Sequence, residues 1–240
     1  MARTPEGKLL TDLHRRQQLA LRASVVRDVL KIWPAWQPKD PASYRSFEAA
    51  MVMLVQSRSV QSASLAARYY EMFRAADAPG STRSLAVALA AARDEAEIRA
   101  AVSSTARAGV YKALGAGQPF EAAMRNGLVR VSGAVSREVL NGGRDTILDE
   151  VQRDTRTQGW ARVTGGDPCA FCAMLASRGP AYREESVDFQ AHDHCDCGAE
   201  PVYEGSEWPG KGREFQQMWK ETGSLNNLRQ EMSHPGTWTK

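Results

Sequence analysis

The sequence predicts a mostly α protein: an N-terminal multi-helix domain, then a small α+β module rich in Cys and His, then a mobile C-terminal tail. Three observations carry this prediction. Over the first 155 residues, apolar side chains recur at helical spacing in Ala-rich stretches divided by Pro and Gly. Near residue 155 that periodicity gives way to short β-like segments. All four cysteines of the 240 residues fall between 169 and 197. The domain limits that follow are 1–155, 156–205 and 206–240.

The elements follow in order. Residues 4–33 read as a long helix whose apolar stripe is Leu10, Leu13, Leu21, Val25, Val29 and Ile32. It stops before Pro34, because proline disfavours helical backbone in the residue ahead of it. The connector Trp33-Pro34-Ala35-Trp36-Gln37-Pro38 is rigid, and Asp40-Pro41 supplies an N-cap followed by proline at the first helical position. Residues 42–76 carry Phe47, Met51, Leu54, Val55, Leu65, Tyr69, Met72 and Phe73 at helical spacing, with a break expected near Ser57–Ser62. Further helices are expected at 81–93, at 95–114 (ended by Gly115-Ala116-Gly117), at 119–140 (closed by Asn141-Gly142-Gly143) and at 145–153. Beyond 157, strands are expected at Trp160–Thr164 and Ala199–Tyr203, with Gly179–Tyr182 a turn entering a third. The last segment carries small helical pieces at 214–221 and 224–232. Its Trp208, Trp219 and Trp238 cannot be buried by so polar a segment, so they imply docking on the domain or on a partner.

Composition limits the function classes. No apolar run approaches the roughly 18 residues a membrane span needs, and Met1–Pro5 lacks the apolar core of a secretory signal. Synthesis in a cytosol without export is expected, and no membrane partner. Residues 1–40 carry eight basic and four acidic side chains, hence +4; residues 160–205 carry three arginines against eight carboxylates, hence −5. Phosphate binding needs the opposite sign, so the Cys/His module is not expected to sit on nucleic acid.

The chemistry concentrates in Asp167-Pro168-Cys169-Ala170-Phe171-Cys172 and His192-Asp193-His194-Cys195-Asp196-Cys197. A Cys-x-x-Cys turn lets two thiolates converge on one ion. Cysteines two apart diverge on a helix but share a face on an extended segment. Cys169, Cys172, His192, Cys195 and Cys197 are therefore the candidate ligands, more than a tetrahedral site takes, for a structural zinc pinning two loops together. Two disulfides would also account for four cysteines, and a Cys-His nucleophile pair with His192 or His194 as base is formally open. A redox Cys-x-x-Cys calls for a βαβ setting that the pattern lacks. The sequence has no Gly-x-Ser-x-Gly, His-Glu-x-x-His or phosphate-binding loop. His14 reads as a helix-surface residue and His234 as part of the tail.

The run Trp160–Thr164, then Asp167–Cys172, Gly179–Tyr182, His192-x-x-Cys195-x-Cys197 and Pro201-Val202-Tyr203 resembles the C-terminal signature of the phage Mu F-like minor head proteins. The likeness covers about 45 residues, and His194 departs from the family's pattern. The resemblance implies a head-morphogenesis protein carried in the virion and made in the host cytoplasm. It also implies association with the portal or the major capsid protein at the procapsid interior. Some relatives in that family are labelled capsid maturation proteases; no protease triad is assignable here, so a non-enzymatic structural role is expected.

Overall fold

The computed structural model describes residues 2, 4–78, 86–180 and 189–233. Helix α1 spans Pro5–Ile32, a 3-10 turn covers Trp33–Ala35, and α2 spans Pro41–Asp77. Next, α3 (Glu95–Val102) and α4 (Ala108–Gly115) are joined through one π turn, Ser103–Arg107. Helix α5 runs Phe120–Arg153; β1 is Gly159–Val163, α6 Ala170–Ala176, β2 Gly198–Val202, α7 Gly212–Thr222 and α8 Leu225–Ser233. The chain is mostly α, with one two-stranded antiparallel sheet among the described residues, in which Trp160 faces Pro201 and Arg162 faces Ala199.

Local chemistry sets the helix ends. Thr4 caps α1 by accepting from the Gly7 amide at 2.9 Å, and Asp40 caps α2 by accepting from the Ala42 amide at 2.8 Å. Gly117 takes a left-handed turn that ends α4. The first cap is also tied across the fold, since Thr4 donates from both its amide and its hydroxyl to Asp77 at the end of α2.

Four departures from the sequence expectations share a cause, which is packing at a distance. Helix α2 has no break at Ser57–Ser62, and α5 passes straight through Gly142-Gly143. The two helices cross there. A Cβ on Gly142 would lie 2.5 Å from the Ser59 carbonyl oxygen, and one on Gly143 2.6 Å from the Ser62 hydroxyl. These glycines serve close approach, not termination. Residues 81–85 lie outside the described residues, and 86–94 are not helical. They run extended along the bundle, the Ala90 amide donating to Thr146 Oγ1 and the Val87 amide to Glu71. In the N-terminal half of α1 the buried positions are Gly7, Thr11 and His14, while Leu13 is exposed. That half faces polar groups described below.

The apolar interior has three parts. One lies between α1, α2, α3–α4 and the first half of α5, around Trp33, Trp36, Tyr44 and Phe47. A second joins the far ends of α2 and α5 to the Cys/His module: Tyr70, Phe73 and Ile147 pack with Trp160, Phe189 and Tyr203. Buried Asp154 ties this junction, accepting from Arg74 Nε at 2.8 Å and from the Tyr70 and Tyr203 hydroxyls at 3.4 Å each. The third part is small: α7 and α8 place Phe215 and Leu228 on Ala170, Ala173 and Ala176 of α6. The helical pieces expected in the last segment thus dock on the module, with Trp219 among them. Trp208 lies against Gly179, where a Cβ would come within 2.4 Å of its ring. His234 and Trp238, like Ala181–Asp188 with the third expected strand, lie outside the described residues.

Candidate metal centre

Two chain segments bring the candidate ligands together. Cys169 is the N-cap residue of α6 and Cys172 sits in its first turn, so a short helix aims both sulfurs the same way. The segment 195–197 is irregular and leads directly into β2, which is the setting in which Cys195 and Cys197 share a face. A tight turn precedes it, the Cys195 amide donating to the His192 carbonyl at 3.1 Å. His194 occupies that turn at φ 65°, a left-handed conformation rare outside glycine.

The distances are short. His192 Nε2 lies 3.0 Å from Cys169 Sγ and 3.3 Å from Cys172 Sγ, and Cys172 Sγ lies 3.7 Å from Cys195 Sγ. Two compact groups result, Cys169/Cys172/His192 and Cys172/Cys195/Cys197, and Cys172 belongs to both. Cys169 is exposed, the other three cysteines are buried, and all four are free thiols. The expected ligands are thus neighbours, and no pair forms a disulfide.

The surroundings match a metal–thiolate centre in three respects. First, His192 Nδ1 donates to the Asp193 carbonyl oxygen at 2.7 Å, because a carbonyl can only accept. In the neutral ring Nε2 then carries the lone pair, and it faces the sulfurs; this is how metal-bound histidines are held. Second, a tetrahedral ion with bonds of about 2.3 Å to sulfur separates its thiolates by about 3.8 Å, close to the Cys172–Cys195 spacing. Third, two buried guanidiniums stand beside the thiols. Arg144 donates from Nε to the Cys197 carbonyl at 3.1 Å and from Nη2 to the Cys195 carbonyl at 2.9 Å. Arg162 donates from Nη2 to the Gln190 carbonyl at 2.8 Å, while its Nε and Nη1 are buried with no hydrogen-bond partner among the described residues. Both cations also lie over the Phe189 ring. Buried positive charge of this kind calls for a negative centre, which thiolates around a divalent ion supply.

The thiols polarise one another in the same sense. Hydrogen bonds from Cys172 and Cys197 hold the Cys195 thiol far below its ordinary range, assisted by the Arg144 charge. Hydrogen bonding to Cys195 and Cys197, with burial, pushes the Cys172 thiol far up. For Cys197, the bond with Cys172 favours the charged form, but Cys195 and burial outweigh it and push the thiol up to about 12. Negative charge therefore gathers first on Cys195, the sulfur served by Arg144.

His194 is no ligand in this arrangement. Its ring lies against α5 at Gly133, where a Cβ would sit 2.5 Å from Nε2. The neighbouring Asp193 carboxylate lies 2.9 Å from Arg137 Nη1, an ion pair whose angle falls short of a hydrogen bond. Arg137 and Arg144, both on α5, escaped the sequence reading because a basic residue in a helical pattern resembles a solvated face. Their spacing of seven residues puts them on nearly the same face, but Arg130 keeps that spacing too, so the pattern does not mark which basic side chains turn inward.

A second polar cluster was also missed. His14, expected at the surface, is buried and stacks on Tyr69 with ring centroids 4.5 Å apart. Thr11 donates to Glu200 of β2 at 2.7 Å and shares a 2.9 Å hydrogen bond with the Tyr69 hydroxyl. Burial lowers His14 to about 4 and raises Glu200 to about 7. Both groups are thus neutral near pH 6, which is what a low-dielectric site demands.

No helix among the described residues is long and apolar enough to cross a membrane. The chain resembles the Gene 15 protein of Mycobacterium phage D29, with 33% identity over a match covering 38% of this chain and 46% of that protein. It resembles the Gene 15 protein of Mycobacterium phage L5 at 32% identity, covering 37% and 45%. The chain spans about half the length of the curated relatives it matches. No solved structure matches. The family model described as VG15 protein matches residues 8–222, nearly the whole chain and all of the Cys/His module, and the chain accordingly belongs to the VG15 protein family.

Proposed function

We propose that the protein is a minor head protein of the phage Mu F-like kind, a structural component of the virion that binds the portal or the major capsid protein. In this reading a zinc ion held by four of Cys169, Cys172, His192, Cys195 and Cys197 makes the module at 156–205 rigid. The observation that carries it is the convergence of two loops on one donor cluster, with His192 Nε2 within 3.3 Å of two sulfurs and Cys172 common to both ligand groups. A filled first shell of protein donors describes a structural ion, with no open position for substrate. The ion would contribute charge and cross-linking only; the chain's own residues orient it through the Asp193 carbonyl and the two guanidiniums. The helical part, residues 1–155, then offers the surface that meets the assembling head.

Two measurements test this. Protein purified under reducing conditions is expected to carry one zinc per chain by elemental analysis, and to co-migrate with assembled portal rings or capsid protein on a sizing column. A metal-free protein that ignores both would end the proposal.

One observation favours a second reading, a capsid maturation protease. Exposed Cys169 lies 3.0 Å from His192 Nε2, and the Asp193 carbonyl orients that imidazole, which is the geometry of a nucleophile and its base. This accounts for two of five clustered donors, whereas an ion accounts for four. Co-expression with the major capsid protein separates the readings. A protease trims it and loses trimming in Cys169→Ser with its fold intact, while a structural centre leaves the capsid protein at full length.

A further inference from the structure

The ligand loop is not self-supporting: helix α5 holds it at three successive levels. Gly133 leaves room for the His194 ring, Arg137 pairs with Asp193, and Arg144 grips the carbonyls of both Cys195 and Cys197. Spaced by four and seven residues, these positions share one helical face. Arg144 is the most constrained of them. It is 4% exposed, its third nitrogen donates to Asn141 Oδ1 at 2.8 Å, and its cation lies 4.9 Å from the Phe189 ring centroid.

The geometry points to Arg144 as the positioning residue of the metal centre, a role that rests on the zinc reading above. Cysteines at i and i+2 present their sulfurs to one ion only while the backbone between them stays extended. A planar guanidinium bonded to both of their carbonyls enforces that conformation from behind, in the way that outer-shell partners fix ligand orientation. Lysine has the charge but is a point donor, and it cannot span two carbonyls two residues apart.

Cobalt(II) titration of the full-length reduced protein tests this, because its visible d–d band reports tetrahedral geometry and its near-ultraviolet charge-transfer band reports the number of thiolates. Arg144→Lys is expected to weaken cobalt affinity about ten- to a hundredfold and to diminish the thiolate band, with helical circular dichroism retained. Asn141→Ala, which frees one arm of the guanidinium and keeps its charge, is expected to weaken affinity by a smaller factor. Wild-type affinity and band shape in both variants would overturn the assignment. If Arg144→Lys does not fold, Asn141→Ala decides alone, and an unchanged titration there rejects it. Should the wild-type chain itself bind no cobalt or zinc, the centre fails, a result distinct from a competent centre indifferent to Arg144.

Discussion

Thr11 and Glu200, 189 residues apart, share a buried 2.7 Å hydrogen bond that fastens the first helix to the second strand. The same junction buries His14 on Tyr69, so an acid and a base lie in one buried seam with opposite displacements from their ordinary behaviour.

The seam gives a pH signature that only substitution exposes. Glu200 is raised by burial from 4.5 to about 7, so its share of stability is intact below about pH 4.5 and lost as pH rises through 7. His14 is lowered from 6.5 to about 4, so its share is intact above about pH 6.5 and lost as pH falls toward 4. Each spans about 3 kcal/mol, and between roughly pH 4.5 and 6.5 the slopes cancel. Glu200→Gln is expected to leave a protein that loses stability on acidification; His14→Phe, which keeps the stack, one that loses it on going from pH 5 to 7. Urea melts at three pH values check both, and parallel curves for wild type and variants would refute the account.

At the α2–α5 crossing, Gly142→Ala is expected to destabilise by about 1–3 kcal/mol, since the new methyl meets backbone at Ser59. Gly133→Ala should cost far less: it meets the side chain of exposed His194, which can swing aside, and alanine favours the helix by about 1 kcal/mol. Thermal melts of the pair decide. Equal losses would mean that crossing distance is not what fixes Gly142.

Asp154 accepts from a guanidinium and two tyrosines in a nearly closed site. Replacing it with alanine removes the acceptor of the Arg74 guanidinium (11% exposed) and of two buried tyrosine hydroxyls, for a loss of about 1–3 kcal/mol. Asp154→Asn should retain part of this by keeping an acceptor. Denaturant unfolding monitored by tryptophan fluorescence reads the effect through Trp160, which packs in the same interior.

Ion removal should be felt most through Cys172, which both ligand groups share. Cys172→Ser is expected to abolish binding of one zinc, while Cys169→Ser, at the exposed edge, weakens it. With free zinc at 100 times the dissociation constant the ion adds about 2.7 kcal/mol, so a strong chelator should lower the melting temperature of wild type but not of Cys172→Ser. Identical melts of wild type with and without chelator would contradict this.

Much of this was legible in the sequence. Long helices show themselves by period, and cysteines clustered within 29 positions announce a shared site. The misreadings were local signals overruled by distant partners. Gly142-Gly143 looks like a helix stop until the Ser59 carbonyl is seen beside it. Residues 86–94 have helical composition, but Thr146 and Glu71 take their amides and Arg93 is tied to Glu138 and Asp145. The donors of the candidate centre could be named from spacing; the arginines behind them could not, because nothing in residues 130–150 marks which basic side chain turns inward.

The Thr11–Glu200 contact also sets an order of events on the ribosome. Until Glu200 has been synthesised, Thr11 of the first helix, though already beside Tyr69, lacks its partner on the second strand. Closure across so long a separation is slow compared with hairpin formation between neighbouring helices. The helical bundle therefore carries an unfinished seam until its second strand arrives.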